Sequence, residues 1–179
     1  MFVPADNPTV LDATEAVQHG DMERLDALLA QHPWLTTTRF GNHNCHRTML
    51  HAATDWPGNF PNGPLVIQRL IAAGADVNAP SRFDSHTETA LRWAASSNDV
   101  AVIDALLDAG ADIKASGAVL GGGSALADAC GFSNWAAARR LVERGARTRL
   151  KDAAALGLNG ATRSGVRFRR RARHLAGWF

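Results

Sequence analysis

The densest set of metal-type ligands in the chain is His43, Cys45, His46 and His51, whose imidazole and thiol groups are of the kind that bind zinc. His43 to His46 fall in an irregular polar stretch rather than along one face of a periodic element. Gly121, Gly122 and Gly123 would suit a loop that cradles phosphate, but no Lys-Ser/Thr pair follows them, and Ser124 reads as a helix cap. A flexible loop is therefore expected there. No Ser/His/Asp, Cys/His or paired-carboxylate arrangement has the spacing of a catalytic motif, and Asp76 and Asp112, directly after Gly74-Ala75 and Gly110-Ala111, read as turn formers. The expectation is of no catalytic residue, no metal and no cofactor.

Charge is distributed unevenly. Residues 1–138 hold 7 Lys/Arg against 15 Asp/Glu, a net of −8, and residues 139–179 hold 12 against 2, a net of +10. Six arginines, Arg163, Arg167, Arg169, Arg170, Arg171 and Arg173, crowd the end of the chain with no acid after Asp152. Interleaved with Phe168, Trp178 and Phe179, they have the chemistry to contact phosphates and stack on bases, so attachment to nucleic acid or an anionic surface is one reading. A solvated, disordered Arg-rich tail over 158–179 is the other.

The elements that must position any site are repeated. Leu-Ile-Ala-Ala-Gly-Ala-Asp-Val-Asn at Leu70 to Asn78 recurs as Leu-Leu-Asp-Ala-Gly-Ala-Asp-Ile at Leu106 to Ile113, and more loosely at Leu141 to Thr148. Gly74, Gly110 and Gly145 are thus 36 and 35 residues apart, a period at which each unit buries its apolar face only against its neighbours. Ahead of each glycine lies Thr48-Met49-Leu50-His51-Ala52-Ala53, Thr89-Ala90-Leu91-Arg92-Trp93-Ala94-Ala95 or Ser124-Ala125-Leu126-Ala127-Asp128-Ala129. Each reads as a helix capped by its Thr or Ser, followed by a second helix that the glycine stops.

These phrases resemble the ankyrin repeat pattern, T-P-L-H-x-A-A followed by L-L-x-x-G-A-D-V-N, over roughly Leu11 to Gly157. Bacterial ankyrin proteins are similar in the long second-unit loop and in the late Ala153-Ala154-Ala155-Leu156-Gly157-Leu158 helix. The resemblance implies an all-α solenoid of stacked helix-turn-helix units with extended finger loops. Its units are 11–40, 41–79, 80–115 and 116–147, with a half-unit at 148–157. The first unit has Ala13, Ala16 and Val17, then Leu25, Leu28 and Leu29, as its apolar stripes and His32-Pro33-Trp34 where the family has G-A-D; it reads as a cap without its finger. Met49, Ala90 and Ala125 replace the family's proline. Its histidine, which ties neighbouring fingers, is kept only as His51, with Arg92 and Ala127 at the equivalent places, so the later fingers are expected to be looser. That structural role for His51 also argues against the metal site.

The resemblance further implies that partners are contacted by the concave groove and the fingers. Aligning the units places Asp55 and Trp56, Ser96 and Ser97, and Gly131 and Phe132 at the ends of successive inner helices on the concave side. Trp93 and Trp135 align with positions facing the packed interior. Phe60 or Pro57 stands close enough in sequence to cover Trp56, so both packing and binding are open for Trp56, Phe132 and Phe83. Asp55, Trp56, Ser96, Ser97 and Phe132, with the finger residues Arg82, Phe83, Asp84, His86, Val119 and Leu120, form the expected partner surface. Five residues are inserted within Asp55 to Pro64, where three prolines and two glycines exclude a helix.

At 179 residues and 46% hydrophobic content the chain can bury a core, and no apolar run of about 18 residues exists to span a bilayer. The first residues lack the basic and apolar regions of a secretory signal. Cys45 and Cys130 fall in non-adjacent units, which predicts two free thiols and a cytoplasmic location. A monomeric protein-binding module is expected, its acidic array suited to a partner with a basic patch.

Overall fold

The computed structural model describes residues 2–83, 87–117 and 123–158. Helices come in pairs: α1 (Pro8–His19) with α2 (Met22–Gln31), α3 (Met49–Ala52) with α4 (Gly63–Ala72), α5 (Ala90–Ser96) with α6 (Val100–Asp108), and α7 (Ala125–Gly131) with α8 (Trp135–Glu143). A further helix, α9 (Leu150–Ala155), follows. The short helices α3, α5, α7 and α9 stack in succession, and α4, α6 and α8 stack behind them. Between the two rows runs one apolar core from Val10 to Ala146, rich in Ala on the inner row and Leu, Ile and Val on the outer.

Local chemistry sets the helix ends. Asn7 accepts from the Thr9 and Val10 amides and Pro8 opens α1; Asp21 caps α2 and Asp99 caps α6 through the Arg24 and Val102 amides. Gly74, Gly110 and Gly145 all have φ between 92° and 101°, the conformation expected where the repeat ends its outer helix. Thr48 caps α3 as expected, through a reciprocal pair with His51. Thr89 and Ser124 stand at the cap positions of α5 and α7, but their side chains make no capping bond. Helix α9 starts at Leu150, ahead of the Ala153 run, and the Asp152 carboxylate turns back to the Arg149 amide at 2.9 Å.

The all-α expectation needs correction. Four short strands, β1 (Phe2–Val3), β2 (Arg39–Gly41), β3 (Cys45–Arg47) and β4 (Arg82–Phe83), form a sheet in that order. β1 is parallel to β2, whereas β2–β3 and β3–β4 are antiparallel, with Phe40 opposite Arg47 and Cys45 opposite Phe83. The first unit therefore has the finger that it was expected to lack: a hairpin turned at Asn42, whose side-chain oxygen accepts from the Asn44 and Cys45 amides at 2.9 Å each. Fingers lying side by side leave unpaired backbone groups facing one another, and these segments satisfy them by short ladders.

The inserted loop is docked rather than free. Asn59 donates its backbone N–H to the Asp99 carboxylate (2.8 Å) and its side-chain amide to the Ser97 carbonyl (3.2 Å), while Asn62 donates to the Gly20 carbonyl (2.9 Å). Gly20 lies against the Pro61 carbonyl so closely that a side chain there would collide with it. The loop thus joins the first unit to the third across the second.

Candidate functional site

The ends of α3, α5 and α7 line up along one side of the stack and enclose a groove pocket of about 530 Å³. Asp55, Trp56, Ser96, Ser97 and Phe132 line it together with Thr54, Glu88, Trp93 and Asn134. Trp56 is 82% exposed and Phe132 53%, so neither Pro57 nor Phe60 covers the tryptophan. Large apolar side chains left this open at a concave surface are unusual in a monomer and are typical of binding anchors.

Trp93 forms the floor. Its indole Nε1–H donates to the Glu88 carboxylate at 2.8 Å, and its ring meets His51 edge-on at 5.0 Å and Phe83 at 5.6 Å. The expectation that Trp93 faces the interior is thereby corrected: it is half-buried and lines the groove. Trp135 is corrected too, since it begins α8 and is 37% exposed. Trp93 follows Arg92 at the variable position of T-P-L-H-x-A-A, which on α5 turns to the groove.

Beneath the floor His51 is held on both ring nitrogens. The Thr48 amide donates to Nδ1 (3.3 Å), and the Thr48 hydroxyl lies 2.8 Å from it. Nδ1 must then be the unprotonated nitrogen, and Nε2–H donates to the Glu88 carbonyl at 2.9 Å. Burial pushes the imidazole pKa down to about 4, against a partly offsetting hydrogen bond to that carbonyl, so the ring is neutral at pH 7. The Glu88 carbonyl also accepts from the Ser81 amide (2.7 Å) and hydroxyl (3.0 Å), which fixes the finger beside the groove.

The groove's carboxylates are engaged. Asp55 accepts from Arg47 of β3 at 2.5 Å and from the Trp56 amide at 2.9 Å; Glu88 holds Trp93 and lies 3.7 Å from Arg92. Asn134 spans to the preceding unit, donating to the carbonyls of Ala95 (3.0 Å) and Ser96 (2.6 Å). What faces the groove is therefore aromatic surface edged by small hydroxyl and amide groups, held in place by backbone-anchored polar residues.

Next along the stack, Arg92 occupies the place that His51 has in its own unit. It is fully buried and donates Nε (3.2 Å) and Nη2 (2.9 Å) to the Asp128 carboxylate on α7. The missing histidine is thus replaced by a buried ion pair between units.

Of the finger residues, Arg82 is exposed on β4 opposite His46, and Phe83 is half-buried against Trp93. Asp84, His86, Val119 and Leu120 lie outside the described residues, as do Arg163, Arg167, Arg169, Arg170, Arg171 and Arg173. His43 and His46 pack their rings on Phe2 at 4.7 and 4.8 Å, and His51 has both nitrogens bonded within the protein. Among the described residues no group of three or more His, Cys, Asp or Glu is placed to hold a metal ion. Cys45 is exposed and Cys130 half-buried; both are free, and burial pushes the Cys130 thiol pKa up. Among the described residues no helix is long and apolar enough to cross a membrane.

Comparison with curated proteins yields no match. The family described as ankyrin repeats (3 copies) matches residues 14–117, which include α3 and α5 of the groove but end before α7 and Phe132. With that match over more than half its length, the chain belongs to the ankyrin repeat family.

Proposed function

We propose that the chain is a non-enzymatic protein-binding module that seats a segment of a partner protein in the groove, with Trp56 and Phe132 as anchors and Trp93 as the floor. Ankyrin repeats are in general protein-protein interaction modules, and the observation that carries the reading here is the exposure of Trp56 and Phe132 on either side of one 530 Å³ pocket. Asp55, Ser96 and Ser97 supply polar contacts at its edge, and Arg82 and Phe83, with Asp84, His86, Val119 and Leu120, extend the surface along the fingers. The net of −8 over residues 1–138 favours a partner with a basic patch.

The test is Trp56→Ala with Phe132→Ala in the full chain. Binding of the proteins recovered with the wild type should weaken by about 2 kcal/mol, roughly 30-fold in Kd, while the melting temperature stays nearly unchanged. Unchanged binding would remove the groove from the account, and a large fall in melting temperature would assign the two rings to packing.

A second reading, attachment to nucleic acid or another anionic surface through residues 158–179, is supported by the six arginines and the +10 balance of residues 139–179. Binding through them should fall steeply as salt rises and should vanish when the six are changed to Gln.

A further inference from the structure

A second pocket, of about 670 Å³, is lined by Ile113, Lys114, Ser124, Arg147, Thr148 and Arg149, none of which lines the groove pocket. It lies between the described part of the third finger, at Ile113 and Lys114, and the start of α9. Three of its six lining residues are cationic, two are hydroxyl-bearing, and none is a carboxylate among the described residues.

Six arginines of the array are paired, whereas Arg82, Arg139 and Lys151 share with the pocket's cations the lack of an ion pair among the described residues. Arg24, Arg47, Arg69, Arg92, Arg140 and Arg144 each hold a carboxylate within the array. Among the described residues, Lys114 and Arg147 have neither an ion pair nor a side-chain hydrogen bond, and Arg149 has no ion pair. The nearest acids in sequence are turned to backbone: Asp112 accepts from the Lys114 amide at 2.8 Å and Asp152 from the Arg149 amide at 2.9 Å. Ser124, at a helix-cap position, leaves its hydroxyl out of the cap, and the Thr148 hydroxyl likewise bonds no described residue.

Lys114, Arg147 and Arg149 are exposed at the pocket's edge, where solvent screens them, and with no acid in the lining they leave a positive potential that an anion would meet. A single carboxylate would balance one of them. A cluster of phosphate groups supplies several negative charges and many acceptor oxygens, which match two guanidinium forks, an ammonium and two hydroxyls. The volume falls within the range of small-molecule sites, and Ile113 gives the cavity an apolar wall for a non-phosphate portion.

We propose that this pocket binds a ligand through two or more clustered phosphate groups, held by Lys114, Arg147 and Arg149 with Ser124 and Thr148 as hydrogen-bond donors. The test uses the full chain and two probes: tripolyphosphate followed by titration calorimetry, and sedimentation with phosphatidylcholine vesicles containing a phosphoinositide. The first identifies a soluble ligand and the second a lipid headgroup, and binding in either arm supports the pocket if it depends on these residues. Changing Lys114, Arg147 and Arg149 together to Gln should weaken binding at least about tenfold, with the circular-dichroism spectrum and melting temperature kept. Three controls make the outcome decisive. Changing Arg82, Arg139 and Lys151 to Gln removes the same charge elsewhere in the array and should leave affinity within about twofold. Changing Ser124 to Ala alone should weaken binding without altering net charge. Changing the six tail arginines to Gln should leave the pocket's share of binding in place. The proposal is overturned if neither probe binds, if the first control loses as much as the pocket variant, or if binding follows the tail arginines and not the pocket.

Discussion

The two buried ties between inner helices solve one problem in opposite ways. Where α3 meets the next unit, a neutral imidazole accepts from Thr48 and donates to the Glu88 carbonyl; where α5 meets α7, a guanidinium holds a carboxylate. The first is accompanied by β-paired fingers, and the second, among described residues, by none beyond β4. A neutral hydrogen-bonded tie has little desolvation cost but is lost when the ring takes a proton. A buried ion pair carries a large desolvation cost that is offset only while both partners are present. The same seam position therefore gives a proton-sensitive half and a charge-sensitive half.

Breaking the charged tie should have the largest effect. Asp128→Ala leaves Arg92 buried without its principal partner and should cost about 3–5 kcal/mol, toward the lower end because Glu88 remains 3.7 Å away. Replacing both members by apolar residues, Arg92→Met with Asp128→Leu, should cost far less. Chemical denaturation of the three proteins checks this, and equal losses in the single and double variants would deny that the pair is coupled.

The core shared by the two halves comes next. Leu106 on α6 is fully buried in the outer row, so Leu106→Ala should cost about 2–5 kcal/mol. A loss below half that range would mean the site collapses around the smaller side chain.

The neutral tie should be visible as a pH dependence. The pKa of His51 in the fold is lowered from 6.5 to about 4, so the unfolded chain binds the proton first as pH falls. Its contribution is complete above pH 6.5 and declines toward pH 4, up to about 3 kcal/mol. Asp104 on α6 behaves in the same sense over a more acid range. Burial alone would lift its carboxyl pKa, but hydrogen bonds from Arg140 and Arg144 outweigh burial and hold it below its ordinary 3.8, so its contribution is lost only at more acid pH. Stability measured from pH 7.5 to 4 in the wild type and His51→Gln should differ in slope. Parallel curves would show that His51 does not carry the dependence.

Much of the array was legible from sequence because its signals are local. Gly74, Gly110 and Gly145 need positive φ, and the leucines of each outer helix recur at helical spacing; both are written in residue type. The groove was half legible. Asp55, Trp56, Ser96, Ser97 and Phe132 line one pocket because the repeat fixes their places, whereas Glu88 and Asn134 act through contacts with other units that no spacing encodes. Trp93 was misread because the alignment of the units assigned it to the packed interior, whereas on α5 it stands at the repeat's variable position and lines the groove. The sheet was missed because strands of two or three residues carry no alternation, and Phe2–Val3 pairs with Arg39–Phe40 far along the chain. Arg92 looked like a lost histidine; only the distant Asp128 shows it to be a substitute.

The smallest expected effect on stability, and the most direct test of the binding account, concerns the groove itself. A photo-crosslinking phenylalanine analogue placed at Trp56 or Phe132 should leave folding intact, since both rings are exposed, and should capture a protein partner on irradiation in cells. The same analogue at Leu65, exposed on the outer row, should not. The account predicts one adduct shared by positions 56 and 132 and absent at 65, and an adduct at 65 without any at 56 or 132 would contradict it.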